Sequence, residues 1–139
     1  MPFLRKLVIL LFIFPGGCRD EFNPDDTDLY GTWEAIHFIS VESVHYSKTE
    51  DYNPQLSFIE DGSYGLGLDV NGCFGNYSLL DENRIEMTAP ICTEICCDSD
   101  FSQKLAGMLS QVSRFEIHSP DVLYLFVDDW GFIKLEKTE

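Results

Sequence analysis

The chain has 139 residues and a formal net charge of −15, from 24 acidic residues against nine basic ones. That length supports one domain, and so acidic a surface repels nucleic acid, whose phosphates are bound by Lys and Arg. A hydrophobic fraction of 45% is ordinary for a globular domain, while 11 Phe, 6 Tyr and 2 Trp favour strands and large buried contacts.

Residues 1–17 read as a removable leader. Met1–Lys6 is short and positive, and Leu7–Phe14 is an unbroken apolar run. A spanning helix needs ~20 apolar residues, so this run has the length of a signal h-region instead. Pro15-Gly16-Gly17-Cys18 follows, and the small residues before Cys18 resemble a bacterial lipoprotein cleavage box. That resemblance implies that Cys18 is lipidated and becomes the mature N-terminus, anchoring the chain to a membrane with more than one acyl chain. Loss of Arg5 and Lys6 with the leader leaves seven basic against 24 acidic residues, a net charge of about −17. Residues 18–28 read as an acidic, solvated tether. Asp20-Glu21, directly after Cys18, resembles the surface-export signal of some Gram-negative lipoproteins.

The folded part is expected over residues 29–139. Thr32–Ser40, with Trp33, Ile36, Phe38 and Ile39, is a first strand. Residues 41–53 form a polar loop. Gln55–Glu60 and Ser63–Val70 are the second and third strands, joined at Asp61-Gly62 by a type I′ turn in which both central residues take positive φ. Gly65 and Gly67 predict a bulge or a close backbone approach. Asn71-Gly72 is the next hairpin turn by the same rule. Cys73–Leu80 is the fourth strand, with Tyr77 and Leu79 on one face and Phe74, Asn76 and Ser78 on the other. Arg84–Ala89 is the fifth, ended by Pro90. Ile91–Asp98 is a cysteine-rich loop.

Asp98, Ser99 and Asp100 are good helix N-caps. Phe101, Leu105, Met108, Leu109 and Val112 then recur at helical period, predicting one helix over about 100–112. Arg114–His118, Val122–Val127 and Phe132–Leu135 complete the set. The expected fold class is mainly β: a small antiparallel sheet of roughly eight strands, bent towards a barrel, with the helix between strands 5 and 6.

In order and spacing, residues 29–136 resemble the META domain family (HslJ type), in its envelope-lipoprotein branch. The carrying features are Gly31-Thr32-Trp33, the Leu56-Ser-Phe-x-x-Asp-Gly62 hairpin, Asn71-x-Cys73-x-Gly75-x-Tyr77, Thr93-x-x-x-Cys97, the Phe101-x-x-x-Leu105 helix, Phe115-x-Ile117 and Leu123-x-Leu125. The resemblance implies a lipocalin-like barrel, with Trp33 plugging one end, and brings no agreed enzymatic activity. The usual Gly-Cys-Asn is replaced by Asn-Gly-Cys here, and Cys92 and Cys96 are extra.

With Cys18 lipidated, four cysteines remain, which allow three connectivities. An exported chain meets oxidising chemistry, so disulfides are expected. Because Cys97 occupies the family's cysteine position, the resemblance implies Cys73–Cys97, with Cys92–Cys96 closing a local loop. The swap Cys73–Cys96 with Cys92–Cys97 stays open. Pairing Cys73–Cys92 with Cys96–Cys97 ranks last, because adjacent cysteines strain their link. Four thiolates could also hold zinc, but the spacing lacks paired Cys-x-x-Cys knuckles.

His37, His45 and His118 are not placed beside a cysteine by any motif, and the acid pairs Asp25-Asp26 and Asp128-Asp129 lack calcium-loop spacing. There is no nucleophile elbow, phosphate loop or dinucleotide fingerprint. The sequence therefore predicts a monomeric, non-catalytic lipoprotein of the bacterial cell envelope. It has no cofactor, is anchored in the outer membrane, and acts by protein contact or in envelope stress. The alternative is a small-molecule or lipid binder using the barrel interior. Phe58, Tyr77, Phe115, Leu123 and Leu125 are expected to fill that interior, as side chains do in small barrels.

Overall fold

A computed structural model describes residues 22–138. The leader, Cys18 and the Asp20-Glu21 signal lie outside the described residues.

The chain enters through a 3-10 turn, Asp26–Leu29, in the stretch read as tether. Asp25 caps it, accepting from the Thr27 amide at 2.7 Å, while Asp28 accepts from the Asp25 amide at 2.9 Å. Leu29 is fully buried and its carbonyl accepts the Trp33 indole N–H at 2.9 Å. One apolar side chain and one indole bond thus draw the end of the acidic stretch onto the barrel.

Nine strands follow among the described residues: β1 Gly31–Ser40, β2 Gln55–Phe58, β3 Ser63–Gly67, β4 Gly72–Leu79, β5 Ile85–Met87, β6 Ile91–Cys92, β7 Val112–Ser119, β8 Val122–Val127 and β9 Gly131–Lys137. All neighbours are antiparallel, in the order β5-β4-β3-β2-β1-β9-β8-β7, with β6 on β4. The two ends nearly meet. Arg84 bridges to Arg114, and the Phe115 amide donates to the Asn83 carbonyl at 2.9 Å. The result is a nearly closed barrel, as expected for the fold class.

The helix α1, Asp100–Met108, is capped by Ser99, whose hydroxyl accepts from the Ser102 amide. It ends before Val112: Leu109–Gln111 tightens into a 3-10 turn and Val112 opens β7. The apolar stripe survives this change, since Phe101, Leu105, Met108, Leu109 and Val112 are all buried. The added strand β6 places the helix between the sixth and seventh strands.

Alternation explains the core. Trp33, Ala35, Leu56, Phe58, Tyr64, Leu66, Tyr77, Ile85, Phe115, Ile117, Leu123, Leu125, Ile133 and Leu135 all point inward and are buried. The five residues expected to fill the interior are among them. Burying a large apolar side chain is worth about 1.5–3 kcal/mol. A bulge between Ala35 and His37 shifts the register of β1 and turns Phe38 onto the helix.

Two turn expectations are corrected, and so is the bulge expected in β3. At Asp61-Gly62 only Gly62 has positive φ (88°); the turn spans Ile59–Gly62, with the Gly62 amide bonded to the Ile59 carbonyl at 3.1 Å. Asp61 instead accepts the Ser63 amide at 2.8 Å. Asn71-Gly72 is no turn: Gly72 pairs with Gly67, and the chain reverses at Asp69-Val70 inside a Leu68–Asn71 bond of 2.8 Å. The paired positive φ that defines type I′ occurs at Glu82 (60°) and Asn83 (58°). In β3, Gly65 and Gly67 sit in regular register without a bulge.

Candidate functional site

The stretch from Asp69 to Ser99 forms a densely bonded polar site. Asn71 is its hub. The side chain is 7% exposed, and all its hydrogen-bonding capacity is used. Its Oδ1 accepts from Thr93 Oγ1 at 2.7 Å and from the Ile95 amide at 2.8 Å. Its Nδ2 donates to the Ile95 carbonyl at 2.7 Å and to Asp98 Oδ2 at 2.6 Å. Asp98 Oδ1 in turn accepts the Val70 and Asn71 amides at 2.8 and 3.1 Å.

Asp69 ties the same turn to the helix. Its Oδ1 accepts both the amide and the hydroxyl of Ser99, the N-cap, at 2.8 and 2.6 Å. The other oxygen, Oδ2, is buried near the Ser102 and Thr49 hydroxyls without reaching strict bonding geometry. Burial alone would raise the Asp69 pKa. The hydroxyls of Ser102, Ser99 and Thr49 and the Ser99 amide outweigh it and hold the pKa down to about 2. For Asp98, burial is likewise outweighed by the Asn71 side chain and the Val70 and Asn71 amides, so its pKa is lowered.

These shifts set a pH dependence. A carboxylate with a depressed folded pKa stabilises the fold above its unfolded pKa and loses that contribution as pH falls through the folded value. Stability is therefore expected to drop between about pH 4 and pH 2. Asp69 alone contributes on the order of 1–2 kcal/mol once solvent screening is allowed for. Urea midpoints at pH 6 and pH 2.5 test this: Asp69→Asn should be less stable than the parent at pH 6 and show a smaller fall with acid. An equal fall in both proteins contradicts the assignment.

The sulfurs pair differently from the expectation. Cys73 bonds to Cys92, not to Cys97, and Cys96 bonds to Cys97. The reason lies in β6: its two residues put Cys92 directly across from Cys73, and Ile91 across from Phe74. The Asn71 hub fixes Thr93 and Ile95, just past β6, by separate bonds. Closing the 19-residue separation stabilises by roughly 3 kcal/mol in the chain-entropy treatment.

The same register exposes an apolar pair. Phe74 is 62% exposed and Ile91 64%, with Ile95 (58%) and Val70 (44%) beside the same loop. Phe74 lies on the face of β4 opposite Tyr77, as its position in the strand predicts. Gly75 has a packing role: a Cβ there would come within 2.5 Å of the Tyr64 ring, which crosses it to donate to the Thr88 carbonyl at 2.7 Å. Burial pushes the Tyr64 hydroxyl up to about 12. Tyr77 donates to the Ile59 carbonyl at 2.6 Å and packs edge-on against Phe58.

The family model described as META domain matches residues 27–134. The chain belongs to the META domain family. Its fold is similar to that of a protein from Burkholderia xenovorans solved by NMR, at 15% identity and TM-score 0.65, covering 99% of each chain. It is also similar to the crystal structure of a DUF4847 family protein from Bacteroides vulgatus, at 12% identity and TM-score 0.56, covering 81% of this chain and 96% of that one. No curated protein matches.

Within this META domain the motif residues are structural. Trp33 is fully buried under the Lys137 ammonium, 4.9 Å from its ring centre. The histidines lie apart from the sulfurs: His37 on β1, His118 on β7 beside Glu116, and His45 in the loop after β1. Asp25 is a cap, Asp128 accepts from Ser113 at 2.8 Å, and Asp129 takes a positive φ of 58° in a turn. No group of three or more His, Cys, Asp or Glu is set to hold a metal among the described residues.

Proposed function

We propose that this META domain chain is a non-catalytic lipoprotein of the bacterial cell envelope, held in the outer membrane through Cys18, and that it works by contact with another envelope protein. One observation carries the reading. The barrel interior is filled by its own side chains, while Phe74 and Ile91 stand exposed as a cross-strand pair. Exposed apolar residues grouped on a surface mark interaction sites. Here the Cys73–Cys92 bond and the Asn71 hub make the backbone beneath them rigid, which lowers the ordering cost of docking. The Gly16-Gly17-Cys18 box after an apolar run supports the anchor, and a charge of about −17 supports a soluble, monomeric head group.

The experiment joins both parts. In fractionated cells the parent should sediment with membranes and Cys18→Ser should not. A photo-crosslinking residue at Ile91 should give a discrete adduct that Phe74→Asp removes, and the same residue at Glu116 should give none. Membrane retention of Cys18→Ser contradicts the anchor; absence of an Ile91 adduct contradicts the contact.

A further inference from the structure

A cleft of about 300 Å³ lies outside the barrel, between β1, the loop that follows it, and the start of α1. Its floor is aromatic. Phe38 and Phe101 stack at 4.4 Å between ring centres, and Tyr46 meets Phe38 edge-on at 5.5 Å. The β1 bulge builds this floor by turning Phe38 onto the helix, and bulges re-aim side chains in this way beside functional sites. The loop is fastened to the helix, since the Phe101 amide donates to the Ser47 carbonyl at 2.9 Å.

The walls carry one lysine and two imidazoles. His37, His45 and Lys48 line the cleft, and none of its lining residues is acidic, in a chain with 24 acidic residues. Lys48 donates to the Ile36 carbonyl at 3.3 Å and to Asn53 Oδ1 at 2.8 Å, which leaves one ammonium proton without a partner among the described residues. A cationic guest is disfavoured. Lys48 already sits 5.6 Å from the Phe101 ring centre, and Lys104 lies 5.1 Å from Tyr46 and 5.2 Å from Trp130, so the aromatic faces hold cations of the chain itself. The rim acid Glu42 is occupied by Tyr46 at 2.8 Å and by Lys104 at 3.8 Å.

We propose that this cleft binds a small organic monocarboxylate with an aromatic or aliphatic body. The cleft has the volume of about ten waters at ~30 Å³ each, and because covalently bonded aromatic carbons each take less room than a water, a bicyclic carboxylate fits it. The carboxylate accepts from Lys48 and from an imidazole N–H of His45, which a neutral or protonated ring supplies alike. The body lies against Phe38, Val44 and Tyr46, with Phe101 stacked behind Phe38. This site is separate from the Phe74–Ile91 surface and does not depend on it.

The probe is sodium 2-naphthoate, titrated into the ¹⁵N-labelled full-length chain. Saturable amide shifts are expected at Ile36–Phe38, Val44–Lys48 and Phe101. The neutral isostere 2-naphthalenemethanol and the cation 2-naphthylmethylammonium should bind at least about fivefold more weakly, because a charge-assisted bond is lost. Lys48→Met should weaken 2-naphthoate by a similar factor and leave the alcohol unchanged, while Lys48→Arg should retain binding. His45→Ala, in the exposed loop, serves as a second variant with the same expected direction. The proposal is overturned by no saturable shift up to ~5 mM, by shifts centred on Phe74 and Ile91, or by equal binding of the alcohol.

Discussion

Asn71→Ala is expected to lower the unfolding free energy by about 3–5 kcal/mol. The carboxamide makes four hydrogen bonds, one of them to the ionised Asp98. Truncation leaves the Ile95 amide and carbonyl, the Thr93 hydroxyl and Asp98 Oδ2 short of a partner. Each unsatisfied buried group costs about 1–3 kcal/mol, and water entering the exposed side of the loop recovers part of that. Asn71→Asp should cost more, because it places a second carboxylate against Asp98 and removes both donors. Urea unfolding followed by tryptophan fluorescence gives the values. A loss below about 1 kcal/mol for Asn71→Ala would mean the hub is redundant with the two disulfides. Limited proteolysis supplies an independent readout, since cleavage between Thr93 and Asp98 should accelerate before global unfolding does.

What the sequence disclosed follows from where its signals are local. The alternation of Leu56 and Phe58, of Phe115 and Ile117, and of Leu123 and Leu125 is a property of each segment alone, so those strands were legible. The helical spacing from Phe101 to Val112 was legible for the same reason, although it could not show that the last turn tightens to 3-10. The apolar stripe is the same either way. Phe74 fell on the outward face of its strand from the pattern alone, and its exposure follows from that position.

The turns and the sulfur pairing were not local. Asn71-Gly72 has the composition of a type I′ turn, but the fold uses Asn71 as a buried bonding centre and places Gly72 at the start of β4. Glycine adopts extended backbone as readily as positive φ, so its presence did not require positive φ. Glu82 and Asn83 adopt that geometry without any glycine, because the pairing of β4 with β5 on both sides of the turn imposes it. The disulfide depended on β6, two residues after Pro90 that carry no periodicity. Only the register of β6 against β4 puts Cys92 opposite Cys73, and a position inherited from the family pattern pointed to Cys97 instead. The cleft over Phe38 and Phe101 was likewise beyond reach: it needs the bulge in β1, and nothing in Ala35-Ile36-His37 announces one.

The second large effect tests that end of the barrel. Gly131→Ala is expected to cost about 3–5 kcal/mol, combining a backbone conformation open almost only to glycine with an overlap that must be relieved by moving backbone. Gly131 has φ 147°, and a Cβ there would run into the Ile39 carbonyl oxygen and come within 2.7 Å of the Ser40 Cα. Neither neighbour is a flexible side-chain end. Gly131 pairs with Ser40 of β1 on one side and with Val127 of β8 on the other, so relief requires prising β1 from β9. That movement also carries Trp130, whose carbonyl accepts the Val41 amide at 2.9 Å and whose ring meets Phe38 edge-on at 5.7 Å. The wall of the cleft should therefore loosen together with the strand. Gly65→Ala is the control. Its φ is ordinary and an added methyl meets nothing within 4 Å, so its effect should stay within about 1 kcal/mol and favour the strand. Thermal unfolding of the two variants separates the readings. If both glycines tolerate alanine equally, the contact between Gly131 and Ile39 does not set the register of β1 and β9. If only Gly131→Ala falls, and weakens 2-naphthoate binding as it does so, then one close backbone approach governs both the barrel seam and the cleft beside it.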